Sequence, residues 1–288
     1  MKVAHSPQEL GGGPRAVALG TFDGVHLGHR RVIEQTFEPG PEPTVVTFDP
    51  HPRTALGNRV ELLTSLERRL ELLDELGVQA ALVVEFTLEL ARLEPEQFVE
   101  QVLRPIGPEV VVAGEDFRFG HGRKGDLALV GSLGLDICPV PLLEGVSSSR
   151  IRELVRAGDV EAGARLLGRP VEVEGTVVAG EARGGTLGFP TANLDVRPEL
   201  LVPGNGIYAG AAGGHRAAVS IGTNPHYGGL ERRVEAHLLD FSGDLYGQRL
   251  VVELWQRLRD EQAFETESDL IQQIEADVEM ARGLERPA

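Results

Sequence analysis

Gly20-Thr21-Phe22-Asp23-Gly24-Val25-His26-Leu27-Gly28-His29 stands directly after the apolar run Ala16 to Leu19 and leads into a helical stretch that starts near Gly28. Glycines at a strand-to-helix turn let the backbone approach a phosphate, and the helix N-terminus supplies unpaired N–H groups and a partial positive charge. His26 and His29, three residues apart, can face one pocket and donate hydrogen bonds to the non-bridging oxygens of a phosphate in the transition state. That is electrostatic catalysis without a covalent intermediate. A single histidine at such a turn more often caps or packs it; the pair in H-x-G-H, directly after a buried first strand, reads as a site.

Working outward, short apolar runs alternate with helical periodicity as far as about residue 165. Ala16 to Leu19, Thr44 to Phe48, Ala80 to Phe86, Glu109 to Ala113 and Leu135 to Val140 read as strands buried on both faces. Leu66 to Leu76 reads as a helix, with a capping box from Thr64 to Glu67 and Gly77 as its stop. The alternation predicts a Rossmann-like, doubly wound parallel sheet with right-handed crossovers. After Gly168 the texture changes to alternating strands, Gly/Pro/Asn turns and one terminal helix from Ser268 to Ala281, which predicts a small antiparallel barrel. The boundary is expected near residues 166 to 170, giving domains of residues 1–167 and 168–288.

The whole chain has 288 residues, which fits two domains of roughly 150 residues. Its formal charge of -16 disfavours long anionic partners, so nucleic acid is not expected as a substrate. No apolar run is long enough to span a membrane, and Met1 to Pro7 lacks the apolar stretch of a secretion signal. A cytoplasmic protein is expected. Cys138, the single cysteine, reads as a small apolar core residue, and an oligomer is possible but not indicated. Lysine occurs only at Lys2 and Lys124, so cationic chemistry must come from arginine or metal ions, and the P-loop string is absent.

Two further strings belong to the first half. In Gly145 to Arg152, serines at a helix start offer side-chain and backbone donors, while Arg150 and Arg152 in the first turn can neutralise a polyphosphate. Because the macrodipole disfavours cations there, an anionic ligand would compensate. Gly114 to Asp126 is a Gly-rich loop with basic side chains that could close over a ligand. Together with Phe48-Asp49-Pro50-His51-Pro52-Arg53, these strings resemble the nucleotidyltransferase module of the bacterial bifunctional riboflavin kinase/FAD synthetase family. The resemblance implies transfer of AMP from ATP to FMN, giving FAD and pyrophosphate. It implies that His26 and His29 stabilise the transition state, that Gly20, Thr21, Phe22, Asp23 and Gly28 line the nucleotide site, and that Asp116 lies on the substrate loop. Ser148, Ser149 and Arg152 would hold the phosphate chain. Ser149 stands where the family commonly has threonine, and Asp116 where it often has asparagine.

In the second half, Gly184 to Leu194 combines glycines with Thr191 and Asn193, two oxygen donors on one face of an extended chain, suited to Mg2+. Glu235 lies on an alternating strand whose neighbours Val234 and Ala236 point the other way. A carboxylate facing an interior barrel pocket can accept the proton of an attacking alcohol, although a lone glutamate on a strand usually marks its solvated face. His237, on the same face, is expected to be structural. The series Thr186 to Asn193, Gly206 to Ala209, Ser220 to Pro225, Val234 to Phe241, Asp244 to Gly247 and Leu258-Arg259 resembles the riboflavin kinase module. The resemblance implies a six-stranded antiparallel β-barrel that phosphorylates riboflavin with MgATP. Thr191 and Asn193 would bind the metal and phosphates and Glu235 would be the base, with Gly188, Pro190, Tyr208 and Arg259 also in the ATP/flavin site. Ala179, Gly185 and His226 depart from the family pattern. The implied whole is a bifunctional enzyme taking riboflavin to FMN and FMN to FAD, with ATP and Mg2+ in both steps. Alternatives are a protein active in one module only and a flavin- or nucleotide-binding regulator without turnover.

Overall fold

The computed structural model describes residues 1–38, 40–180, 188–226 and 229–287, with the side chains of 224–226 and 229–231 left aside. The chain forms two compact units, Met1–Ser148 and Ser149–Ala288.

The first unit is built on a parallel sheet of β1 (Lys2–Ala4), β2 (Arg15–Leu19), β3 (Glu42–Asp49), β4 (Ala80–Glu85), β5 (Pro108–Gly114) and β6 (Asp136–Val140). Its order is β1-β4-β3-β2-β5-β6. The chain leaves β2 for β3 on one side and reaches β5 on the other, so β2 and β5 flank the switch point where doubly wound sheets bind ligands. β2 is buried throughout: Val17 and Leu19 pack into one core layer and Ala18 into the opposite one. That accounts for its unbroken apolar run. Two expectations need correction here. β6 is an edge strand paired only with β5, so Asp136, Ile137 and Pro139 are exposed and Cys138 is half-buried rather than core. β1 was not anticipated, since three residues with one buried side chain carry no readable period.

The helix Leu66–Glu75 is capped by Ser65, whose hydroxyl accepts the Arg68 N–H at 3.0 Å. The expected Thr64 box does not form, because the Thr64 hydroxyl is engaged with Asp23 and Gly24.

The second unit is a closed antiparallel barrel of β7 (Val171–Val178), β8 (Ala192–Asp195), β9 (Gly206–Ala212), β10 (His215–His226), β11 (Gly229–Leu238) and β12 (Arg249–Arg259), ordered β10-β11-β8-β7-β12-β9. A terminal helix, Glu267–Gly283, packs on β9 and β10. The helix Val160–Leu167, expected with the first half, buries Val160, Ala164 and Leu167 against β7 and β12. The compact units therefore divide earlier in the chain than the change of sequence texture. Inside the barrel stand small or branched apolar side chains, among them Val173, Leu194, Val219, Val234, Ala236 and Val252.

Candidate active sites

In the first unit the turn after β2 is strained. Phe22 (φ 50°) and Val25 (φ 41°) adopt left-handed backbone beside Gly24 (φ 84°), and for a β-branched valine that is a true outlier. Burial and a clasp hold it. Val25 is fully buried, and the buried Asp23 carboxylate accepts the backbone N–H of Leu63 at 2.9 Å and of Thr64 at 3.1 Å. Thr64 Oγ1 accepts the Gly24 N–H at 3.1 Å in return. Asp23 is thus committed to its own protein.

The turn delivers His26 as N-cap of the helix Leu27–Glu34. Its Nδ1 accepts the His29 N–H at 3.2 Å, so the proton of the neutral ring sits on Nε2 and not on the nitrogen that caps the helix. The two imidazoles stack with centroids 3.5 Å apart, and the Phe22 ring meets His29 edge-on at 5.4 Å. A Cβ on Gly28 would stand 3.2 Å from His26 Cε1, so only glycine leaves that ring undisturbed. Ser148 Oγ donates to the Asp23 carbonyl at 3.3 Å, bringing the serine string to the first motif. Asp116 is exposed just beyond β5, the strand beside β2.

Beneath the turn lies a residue that sequence reasoning missed. Arg69 is fully buried; its Nη1 donates to Thr47 Oγ1 at 3.2 Å and to the Phe48 carbonyl at 3.1 Å. Thr47 Oγ1 in turn donates to the Thr21 carbonyl at 2.9 Å. Burial pushes Arg69 below the ordinary arginine value, and the nearby Asp23 and Asp49 charges oppose that shift. Arg69 stands three and four residues before Leu72 and Leu73, on the apolar stripe of its helix, and that spacing is the signal that marks it as inward.

In the second unit the register carries the site. Glu235 on β11 is paired across the ladder with Asn193 on β8 and with Ser220 on β10, and Asn193 with Val178 on β7. Since Val234 and Ala236 fill the interior, Glu235, Asn193 and Ser220 share the outer face, each half-buried. Glu235 therefore faces away from the barrel interior expected for it, because the apolar parity of β11 gives that side to Val234 and Ala236. Gly180 is pressed onto Asn193, where a Cβ would fall 2.4 Å from Asn193 Cγ. His237 Nδ1 bonds the Pro190 carbonyl at 2.8 Å, and its ring meets Phe189 edge-on. This fastens the segment leading into Thr191, a structural role as expected. Gly188 (φ 91°) and Pro190 are exposed. Residues 184–187 and Arg183 lie outside the described residues, as does the side chain of His226.

Comparison with known proteins assigns each half of the chain to a family. A riboflavin kinase family model matches residues 167–284 and an FAD synthetase model residues 12–140. A bifunctional riboflavin kinase/FMN adenylyltransferase of Listeria monocytogenes is 36% identical, covering 93% of this chain and 91% of its own. The Escherichia coli K12 protein of that name is 34% identical over 100% of both chains. This chain belongs to the bifunctional riboflavin kinase/FMN adenylyltransferase family. Its fold also matches the crystal structure of a macrolide-efflux protein from Streptococcus pneumoniae, with a TM-score of 0.88 and 29% identity over 98% of this chain and 99% of that one. Among the described residues no helix is long and apolar enough to cross a membrane.

The bifunctional enzyme therefore makes FMN from riboflavin and FAD from FMN, each with ATP, the kinase in its C-terminal part and the adenylyltransferase in its N-terminal part. Several residues that the resemblance put in contact with ligand are engaged elsewhere. The Tyr208 ring is fully buried and its hydroxyl donates to the Gly204 carbonyl; burial raises its pKa above the usual tyrosine value. Arg259 grips Asp277 of the terminal helix with two nitrogens, at 3.0 and 2.7 Å. Arg150 pairs with Glu153 at 3.0 Å on the surface, whereas Arg152 is buried. Ser149 and Arg152 belong to the second compact unit. Several contacts tie the loop Gly114–Asp126 to its surroundings. A Phe119–Gly125 bridge ties its neck, the His121 N–H bonds the Leu93 carbonyl at 2.8 Å, and His121 and Lys124 both bond Glu94, holding that carboxyl below its usual range.

Proposed function

We propose that the two reactions use two separate residue sets. For FMN adenylylation the reading is in-line displacement: an FMN phosphate oxygen attacks the α-phosphorus of ATP and pyrophosphate leaves. The His26 and His29 side chains donate hydrogen bonds to the oxygens on which charge grows, and the helix N-terminus adds its partial positive charge. Ser148 supports the turn from the other side. Asp23 acts as the clasp that holds the turn rather than as a ligand.

For riboflavin phosphorylation, Glu235 takes the proton of the terminal ribityl hydroxyl as its oxygen attacks the γ-phosphorus and ADP leaves. The Thr191 hydroxyl and the Asn193 amide oxygen are hard, neutral donors, a set that fits Mg2+ shared with phosphates and water. When bound, Mg2+ would offset phosphate charge; orientation falls to Asn193 and its backing glycine. The observation that carries this reading is the direct cross-strand pairing of Glu235 with Asn193, which sets base and metal donor on one face.

We further assign adenylyl transfer to residues 1–167 and the kinase to residues 168–288, in a cytoplasmic protein that binds neither nucleic acid nor membrane. The charge of -16 supports the nucleic-acid part. Incubation of the pure protein with riboflavin, ATP and Mg2+, followed by chromatographic separation of the flavins, tests the whole. FMN and then FAD are expected, with no flavin turnover when Mg2+ is chelated. FMN formation undiminished by Glu235→Gln would remove that residue as the base.

A further inference from the structure

Arg69 is the bulkiest fully buried side chain among the described residues, yet its Nε and Nη2 make no hydrogen bond there. Burying a guanidinium with donors unspent is costly, and an apolar side chain of similar volume is often neutral or better for stability. Its helix neighbours Leu72 and Leu73 fill the core in the ordinary way. Packing alone therefore does not account for a cation at this place.

What it touches does. The Phe48 carbonyl lies one residue before Asp49, at the end of β3, and Thr47 Oγ1 passes the contact on to the Thr21 carbonyl, in the turn that delivers His26. The carbonyl of Phe48 and the hydroxyl of Thr47 are thereby gripped by one nitrogen, while Asp23 and Asp49 supply the compensating charge nearby. This brace runs beneath left-handed Phe22 and Val25, whose strained backbone persists only where its surroundings over-determine it.

We propose that Arg69 is a positioning residue for FMN adenylylation, acting through Thr47 on the Thr21 carbonyl to fix the turn that presents His26 and His29. The proposal rests on the reading of that turn as the adenylyl-transfer site. Its test uses the full-length protein with Arg69→Met, Thr47→Val and the double substitution, measuring kcat and KM for FAD formation from FMN and MgATP. Riboflavin phosphorylation on the same samples is the internal control. Each single substitution is expected to lower kcat about 100-fold, the cost of a misplacement near 1 Å. KM and riboflavin phosphorylation stay unchanged, and the double variant is no slower than Arg69→Met. Unchanged kcat in Thr47→Val, or losses that multiply in the double variant, would overturn it. If Arg69→Met fails to fold, Thr47→Val, which keeps charge and shape, decides alone. His29→Ala separates the two levels: normal FAD formation by that variant sinks the site itself, whereas its inactivity beside fully active brace variants sinks only the brace.

Discussion

Substituting Gly180 by alanine is the sharpest probe of the kinase face. A Cβ there would lie 2.2 Å from Asn193 Nδ2, 2.4 Å from Cγ and 2.5 Å from Oδ1. Relaxed non-bonded contacts lie at about 3.5–4.0 Å, so the amide must retreat by roughly 1 Å or more. Because β8 is held between β7 and β11, the backbone of Asn193 cannot follow, and the side chain swings off its rotamer instead. Displacing a positioning group by about 1 Å costs on the order of 100-fold in rate, or about 2.7 kcal/mol at 1.36 kcal/mol per tenfold. The assay is riboflavin phosphorylation with MgATP, with FMN-to-FAD conversion on the same sample reporting that the protein is otherwise intact. FMN production should fall about 100-fold, FAD formation from supplied FMN should hold, and adding Asn193→Ala should slow the enzyme no further than Asn193→Ala alone. Wild-type FMN production by Gly180→Ala would refute the argument, because either Asn193 would then have no part in the reaction or its position would not matter.

Glu235→Ala should abolish FMN formation while FMN is still converted to FAD, and His29→Ala should do the reverse; a variant that stayed folded yet lost both reactions would defeat the assignment of separate residue sets. Arg259→Ala should lower unfolding stability by about 3–5 kcal/mol, since it strands the buried Asp277 carboxylate. An unchanged urea midpoint together with a raised KM for ATP would instead return Arg259 to the ligand site. Ser65→Ala should cost about 1 kcal/mol in chemical denaturation and Thr64→Ser markedly less, because Ser65 is the cap and Thr64 needs only its hydroxyl; an unchanged midpoint in Ser65→Ala would remove Ser65 as the cap.

Much of the fold was legible because each strand reports its own surroundings. The unbroken apolar runs at Ala16–Leu19 and Ala80–Val84 read as strands covered on both faces, and the alternation in Val234–Leu238 separated Glu235 from its neighbours. H-x-G-H after the first strand marked a helix start, and the structure caps that helix with the first histidine. Where strand signals failed, the cause was length or competition. β8 has four residues, two of them polar, and the Gly-rich string around it reads as loop. Thr64 and Ser65 offer the same hydroxyl chemistry for one cap, and the choice between them was made by Asp23, far away in sequence.

By itself, then, the sequence determined the two architectures, the glycine-rich turn that leads into a helix, and the parity that sets Glu235 apart from the apolar interior. Tertiary structure decided what each polar side chain is for. Barrel closure, which stacks β8 between β7 and β11, paired Asn193 with Glu235 and assigned both to the outer face. The packing of a helix under β3 turned Arg69 into a brace, and the seating of the terminal helix took Arg259 into an ion pair with Asp277. Periodicity and capping depend on neighbours within a few residues and so are written locally. Register, burial of charge and choice of partner depend on which faces meet when the sheets close.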